Sequence, residues 1–297
     1  METFQAFKDN GQILFDTNLI CYGLVKSGYM ALQSYWTRKQ LRSAQLDPND
    51  GANWTVSTAS ASPSFGDGLW GFTVSNAISP IVFITGTGVF NGTSVSGSSI
   101  TFYYSSASTS TKFYCFDLMA DNMSGTTFLK TYDTNGRITF NSLQPPLNII
   151  AAIQAAGPGA TDKYGRYLTC YSGGANRVRQ IYQAVGGIVY TGQVDSFVDI
   201  PINSGVEYAA FLPWSRGVMY WDFLSRSEFY SFLNYSGLEG AYGRSGGISF
   251  MFGASPATTQ ARPFNQGYSL PISFSNLPAL LPTALVITTE NLPFPFN

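Results

Sequence analysis

The chain contains no histidine. That absence removes Ser-His-Asp and Cys-His nucleophilic centres, the HExxH zinc site and most transition-metal ligand sets. Neither a GxxxxGK[ST] phosphate loop nor a GxGxxG turn between strand and helix occurs. Cys21, Cys115 and Cys170 are odd in number, widely spaced and free of any CxxC pair, which argues against a disulfide framework. Cys115, inside the strand-like run 112–117, reads as a small buried hydrophobe. These residues call for no metal and no cofactor.

Charge is scarce too. Charged residues make up 11% of the chain, against roughly 25% in ordinary soluble proteins. A net charge of −1 gives no basic footprint for nucleic acid. The one basic cluster, Arg38-Lys39-Gln40-Leu41-Arg42, follows Tyr35 and Trp36. It reads as a solvated connector before it reads as an anion patch. No apolar run approaches the roughly 18 residues of a membrane span; the segment 277–287 is broken by Pro278 and Pro282. No membrane insertion is therefore expected. Met1-Glu2-Thr3 lacks the basic and apolar regions of a secretory signal, so a cytoplasmic product is expected.

Aromatic and small polar residues fill the space that charge leaves. The chain has 23 Phe and 18 Tyr, and hydrophobic residues reach 44%. Aromatic side chains pair well across strands and small polar residues make turns, whereas the 3.6-residue spacing of amphipathic helices is missing. The fold class expected is all-β, with two antiparallel sandwich or jelly-roll-like domains over 1–150 and 151–297. A surface so poor in charge also suggests neutral faces buried between subunits.

Two stretches nearly repeat one another. Asn10-Gly11-Gln12-Ile13-Leu14-Phe15-Asp16-Thr17 matches Asn135-Gly136-Arg137-Ile138-Thr139-Phe140-Asn141-Ser142. Asn-Gly is a strong signal for a type I′ hairpin turn, and Ile-x-Phe places two large side chains on one strand face. A hairpin is expected at each edge of the first domain. Phe4 and Phe7 would pack on the first, Phe128 and Tyr132 on the second. Between them lie a loop over 43–68, a strand within 78–85, a glycine-rich turn region over 86–99 with Asn91-Gly92, and strands over 100–104 and 111–118. Pro145-Pro146 ends the ladder.

The run 113–117, the hairpin 128–142 and Pro145-Pro146-Leu147 together resemble the closing half of a small domain of tailed-phage tail proteins. The hairpin 7–17 resembles its opening half. The likeness covers about residues 1–150. It implies a non-enzymatic virion protein of the tail tip, baseplate or fibre. Its partners would be other virion proteins and further copies of itself, in an oligomer such as a trimer. The chain would be made in the host cytoplasm and would reside in the virion. No catalytic residues come with the resemblance.

Residues 151–297 lie outside it. Strands are expected over 164–171 and 247–253 and two over 187–202 around Gly192, the run 211–223 is the most aromatic part of the chain, and short helices are expected over 148–156 or 225–233. Trp214, Tyr220 and Trp221 are read first as core or subunit interface. The competing reading is a host-glycan or receptor site, with Arg216, Asp222 and Arg226 as its hydrogen-bonding rim. Glycoside hydrolysis by two carboxylates is the enzymatic alternative, drawing on Asp195, Asp199, Glu207, Asp222, Glu228 and Glu239, and a capsid decoration protein is the other virion alternative. The proline-rich end is expected to extend, with a strand near 286–289. Leu292, Phe294 and Phe296 would form an arm docking on a neighbouring subunit.

Overall fold

A computed structural model describes residues 5–7, 9–11, 13–16, 19–36, 39–41, 54–56, 68–121, 123, 125–183, 188–223, 232–254, 263–265 and 273–297. All the regular elements among them are β-strands. The largest sheet runs, in spatial order, through Ala151–Gln154, Thr283–Thr288, Tyr208–Phe211, Ile81–Thr85, Phe232–Arg244, Gly247–Ala254, Ile188–Pro201 and Ala175–Gln183. Lys112–Leu118 branches from it, pairing with both Ile81–Thr85 and Tyr22–Tyr29. A second sheet of four strands has the order Ala31–Tyr35, Gly68–Ser75, Ser99–Ser105, Val89–Ser96.

Strands from both sides of residue 150 share the largest sheet. The join is narrow: Ile84 pairs with Ala210, and Thr85 pairs in parallel with Gly243. Packing crosses the same point. One apolar cluster comes wholly from beyond residue 150 and includes Tyr171, Tyr220, Phe250 and Phe274. A second joins Phe72, Phe102 and Phe113 to Tyr242 and Met251. A third joins Leu24, Phe83 and Phe116 to Ala209 and Ile287.

The strand Phe232–Arg244 makes this crossing through glycines at 237, 240 and 243. A Cβ on Gly240 would lie 2.8 Å from the Gly88 carbonyl oxygen, and one on Gly243 would overlap the Tyr208 carbonyl. Bare backbone is therefore the condition for packing this strand against its neighbours on both sides of the join.

The repeated sequence is a repeated structure. Gln5↔Asp16, Ala6↔Phe15 and Phe7↔Ile13 pair in the first hairpin, and Lys130↔Asn141, Thr131↔Phe140 and Tyr132↔Ile138 in the second, with a register shift at the same point in each. The turn differs from the expected I′ form. Only the glycines take positive φ, +79° at Gly11 and +77° at Gly136. In the second hairpin Gly136 N–H donates to the Asp133 carbonyl at 3.1 Å, which is a type I turn closed by a glycine bulge.

Asp133 clamps that turn. Its Oδ1 accepts from the backbone N–H of Asn135 and Arg137, and its Oδ2 from Arg137 Nε at 2.6 Å. Asp162 does the same with Tyr164 and Arg166, and Gly165 N–H closes onto its carbonyl at 3.0 Å. Both turns read Asp-x-x-Gly-Arg. The alternating run 164–171 therefore opens on a turn rather than a strand. The segment 148–156 holds the strand Ala151–Gln154 rather than a helix, because its backbone pairs with Thr283–Thr288. Asn91-Gly92 lies inside the strand Val89–Ser96, at a bulge against Ser99–Ser105. The helix expected over 225–233 falls mostly outside the described residues.

Gly243→Ala is expected to reach at least the top of the roughly 1–3 kcal/mol range for overpacking. Gly136→Ala meets no heavy atom within 4 Å and should cost only about 1 kcal/mol for its left-handed backbone. Urea unfolding of the two variants checks the ranking, and equal losses would contradict it. Backbone hydrogen bonding from Arg137 holds the Asp133 carboxyl below its ordinary 3.8. At Asp162 burial pushes upward, and hydrogen bonds from Arg166 and Tyr164 outweigh it, so it too lies below 3.8. Carboxyls lowered by folding stabilise the native state fully above their unfolded value, and that contribution fades as pH falls through the folded value. Carbon-13 NMR titration should place both midpoints below 3.8; midpoints at or above it would break the clamp description.

Candidate functional site

Arg216 stands just before the strand Gly217–Phe223, whose Gly217 pairs with Leu238. The next rung is Glu239 N–H to the Arg216 carbonyl at 3.0 Å, so the two side chains meet across neighbouring strands. Both side chains are fully buried. Arg216 Nε donates to Glu239 Oε2 at 2.6 Å and Nη2 donates to Oε1 at 2.8 Å. Tyr171 O–H donates to the same Oε1 at 2.8 Å, and Arg216 Nη1 reaches the Pro278 carbonyl at 3.4 Å. The guanidinium lies 5.4 Å from the Phe252 ring centroid and 5.8 Å from that of Tyr171.

The fork of arginine matches a carboxylate with two parallel bonds. Burial works against the Arg216 charge, but Glu239 outweighs it and raises the Arg216 pKa. Burial, then the Glu239 charge, pushes the Tyr171 hydroxyl far above its usual range. Tyr171 is therefore a fixed donor at any ordinary pH.

Two residues before this anchor stands Trp214, and both Trp214 and Glu239 line one cleft. Trp214 stands at the mouth of this cleft of about 550 Å³, whose lining includes Ile84, Phe90, Phe102, Tyr104 and Phe211. Phe90 and Trp214 are the exposed rings, at 41% and 40%. Phe90 tilts against Tyr104 at 5.5 Å and against Phe102 at 6.3 Å between centroids.

Among the described residues, Arg216 and Tyr220 are turned into the interior and do not stand beside Trp214 as a polar rim. Arg216 is spent on Glu239. Tyr220 is fully buried, edge-on to Phe274 at 4.9 Å. Tyr220 lies in the core, and so does Arg216, which was expected at the rim. Trp221 and Asp222 lie in the strand Gly217–Phe223, paired with Asn234 and Leu233, and their side chains lie outside what is described, as does all of Arg226. Of the candidate acids, Asp195 faces Arg177 at 3.3 Å, Asp199 faces Arg244 at 3.6 Å, Glu207 faces Lys112 at 2.8 Å, and Glu239 holds Arg216. Glu228 lies outside the described residues.

The C-terminal arm docks on its own chain. Ser27 and Phe296 exchange backbone hydrogen bonds at 2.9 and 3.1 Å, and Ser27 Oγ donates to the Pro293 carbonyl at 2.7 Å. Phe294 stands edge-on to Tyr29 at 4.9 Å, and Leu292, Phe294 and Phe296 pack on the cluster around Leu24 and Phe83. The reason is an open strand edge. Tyr22–Tyr29 pairs with Lys112–Leu118 on one side, and its other edge offers backbone groups that Phe296 and the segment 145–147 satisfy.

The hairpins behave in the opposite way. Phe7, Phe128 and Tyr132 were expected to pack within them, yet all three are exposed, Phe128 at 96%, and Leu129 is exposed beside them. Phe4 lies outside the described residues. Comparison of the chain with protein-family models, with curated proteins and with solved structures returns no match.

Removing one partner of a buried ion pair costs roughly 3–5 kcal/mol, because the other charge is left uncompensated. Arg216→Met is expected to fall in that range by urea unfolding. Arg216→Met with Glu239→Met should recover at least half the loss. A double variant as unstable as the sum of its singles would show that the two side chains do not act as a pair.

Proposed function

We propose that this chain is a non-enzymatic structural subunit of a tailed-phage virion, in the tail-tip, baseplate or fibre region, residing there in several copies. The observation that carries the reading is the duplicated hairpin. Two arms of one sequence pattern and one register hold large apolar side chains in water, Phe7 on the first and Phe128, Leu129 and Tyr132 on the second. Such groups gain free energy when a neighbour covers them. The low charge of the chain supports the same reading, since a surface meant to stand alone in water normally carries more.

Assembly fits these residues better than glycan attachment does. Arg216 and Tyr220 are buried, and Trp214 keeps an exposed ring without that arginine as a free donor. Hydrolysis draws no support from Asp195, Asp199, Glu207 or Glu239, each of which stands against a cation. A general acid needs a raised pKa. That of Glu207 is lowered: burial pushes it up, but hydrogen bonds from Lys112 and Thr289 outweigh burial.

Cryo-electron microscopy of the assembled particle tests the proposal. Density for this chain at the tail tip, baseplate or fibre is expected, with the hairpin Lys130–Asn141 seated on a neighbouring subunit. Density on the capsid lattice would make it a decoration protein instead. Absence from purified particles would overturn the virion reading altogether.

A further inference from the structure

The cleft behind Trp214 is partly open to solvent and measures about 550 Å³, within the range that takes small ligands. Its walls come from two sheets. Phe90, Phe102 and Tyr104 belong to the four-stranded sheet, and Ile84 and Phe211 to the largest one. Trp214 and Phe90 stand half-exposed at the mouth, where a ligand entering the cleft would cover them.

The lining also says what kind of ligand fits. Among the described residues it includes no lysine or arginine, and the one acid among them is Glu239, already bonded to Arg216 and Tyr171. A carboxylate, phosphate or sulfate would enter without a counter-charge, which is strongly unfavourable. A sugar would give up hydration for walls of rings and branched aliphatics.

We propose that this cleft is a binding site for an uncharged apolar ligand, either a planar ring system or an alkyl chain of medium length. Trp214 and Phe90 grip it at the mouth, and Ile84, Phe102 and Tyr104 surround its buried end. The site is independent of where the chain sits in a particle, so it stands or falls separately from the virion reading.

The test is titration of the full chain by calorimetry and tryptophan fluorescence. Naphthalene serves as the ring probe and 1-decanol as the chain probe, with decanoate and maltose as charged and sugar probes. The variants are Trp214→Phe, Trp214→Ala and Thr93→Phe, the last placing a ring on the cleft wall. One neutral probe is expected to saturate a single site, and which one does so distinguishes ring from chain. Decanoate and maltose should bind about tenfold or more weaker. Trp214→Phe should retain binding, while Trp214→Ala and Thr93→Phe each weaken it about tenfold or more. Circular dichroism establishes that each variant is folded. If Trp214→Ala does not fold, Thr93→Phe and nuclear Overhauser contacts from the probe to Phe90 and Tyr104 carry the test. Failure of both neutral probes to saturate would overturn the proposal. So would equal binding by folded Trp214→Ala and Thr93→Phe, or tighter binding of maltose than of either neutral probe.

Discussion

Two opposite charges with no access to water are the constraint around which the second half of this chain is arranged. Taking an arginine and a glutamate out of water costs several kcal/mol per ion. The cost is met only if every polar atom finds a partner at short range. Arg216 and Glu239 meet that condition with two direct bonds, the Tyr171 hydroxyl and the Pro278 carbonyl. These four residues come from four separate stretches of chain, so the pair fixes their relative positions. It also decides what the neighbouring surface can do. An arginine committed to the interior is no free donor for Trp214, which lines the neighbouring cleft.

The strand that carries Glu239 also joins the two halves of the fold. Its glycines let backbone approach backbone where a methyl group would collide, and Tyr242 places its ring in the cluster built mainly by residues before 150. The edge of Tyr22–Tyr29 is closed in a complementary way. Segments containing Pro145-Pro146 and Pro293 to Phe296 satisfy it with carbonyls and a few N–H groups. Proline is a poor ladder residue, but as edge cover it ends pairing and discourages further strand addition. The exposed side chains of the two hairpins are therefore a separate feature from this closed edge.

Local features of this architecture were legible in the sequence and non-local ones were not. The matching hairpins could be read because turn and register lie within about a dozen residues of one another. Even there Asn-Gly pointed to the wrong turn type, since the glycine alone takes positive φ. The signature Asp-x-x-Gly-Arg at 133–137 and 162–166 was present in plain view and corrects the strand expected over 164–171. The Arg216–Glu239 pair left no local mark beyond the glycines at 237 and 240, because its partners are far apart in sequence. The cleft is similarly hidden, with Phe90 and Trp214 brought together only by the tertiary fold. The arm at 292–296 was recognised as needing a partner, but the open edge that receives it is set by which strands pair with Tyr22–Tyr29, and nothing in the arm itself encodes that.

Nitrogen-15 NMR of the Arg216 side chain tests the buried pair most directly, with the signal assigned by its loss in Arg216→Lys. A guanidinium locked between Glu239 and Pro278 should show separate Nη–H signals, slow rotation and an Nε–H that exchanges with solvent only on unfolding. A single averaged Nη signal exchanging as fast as a surface arginine would mean that the charge is not held in the interior, and the description of the fold around it would fail.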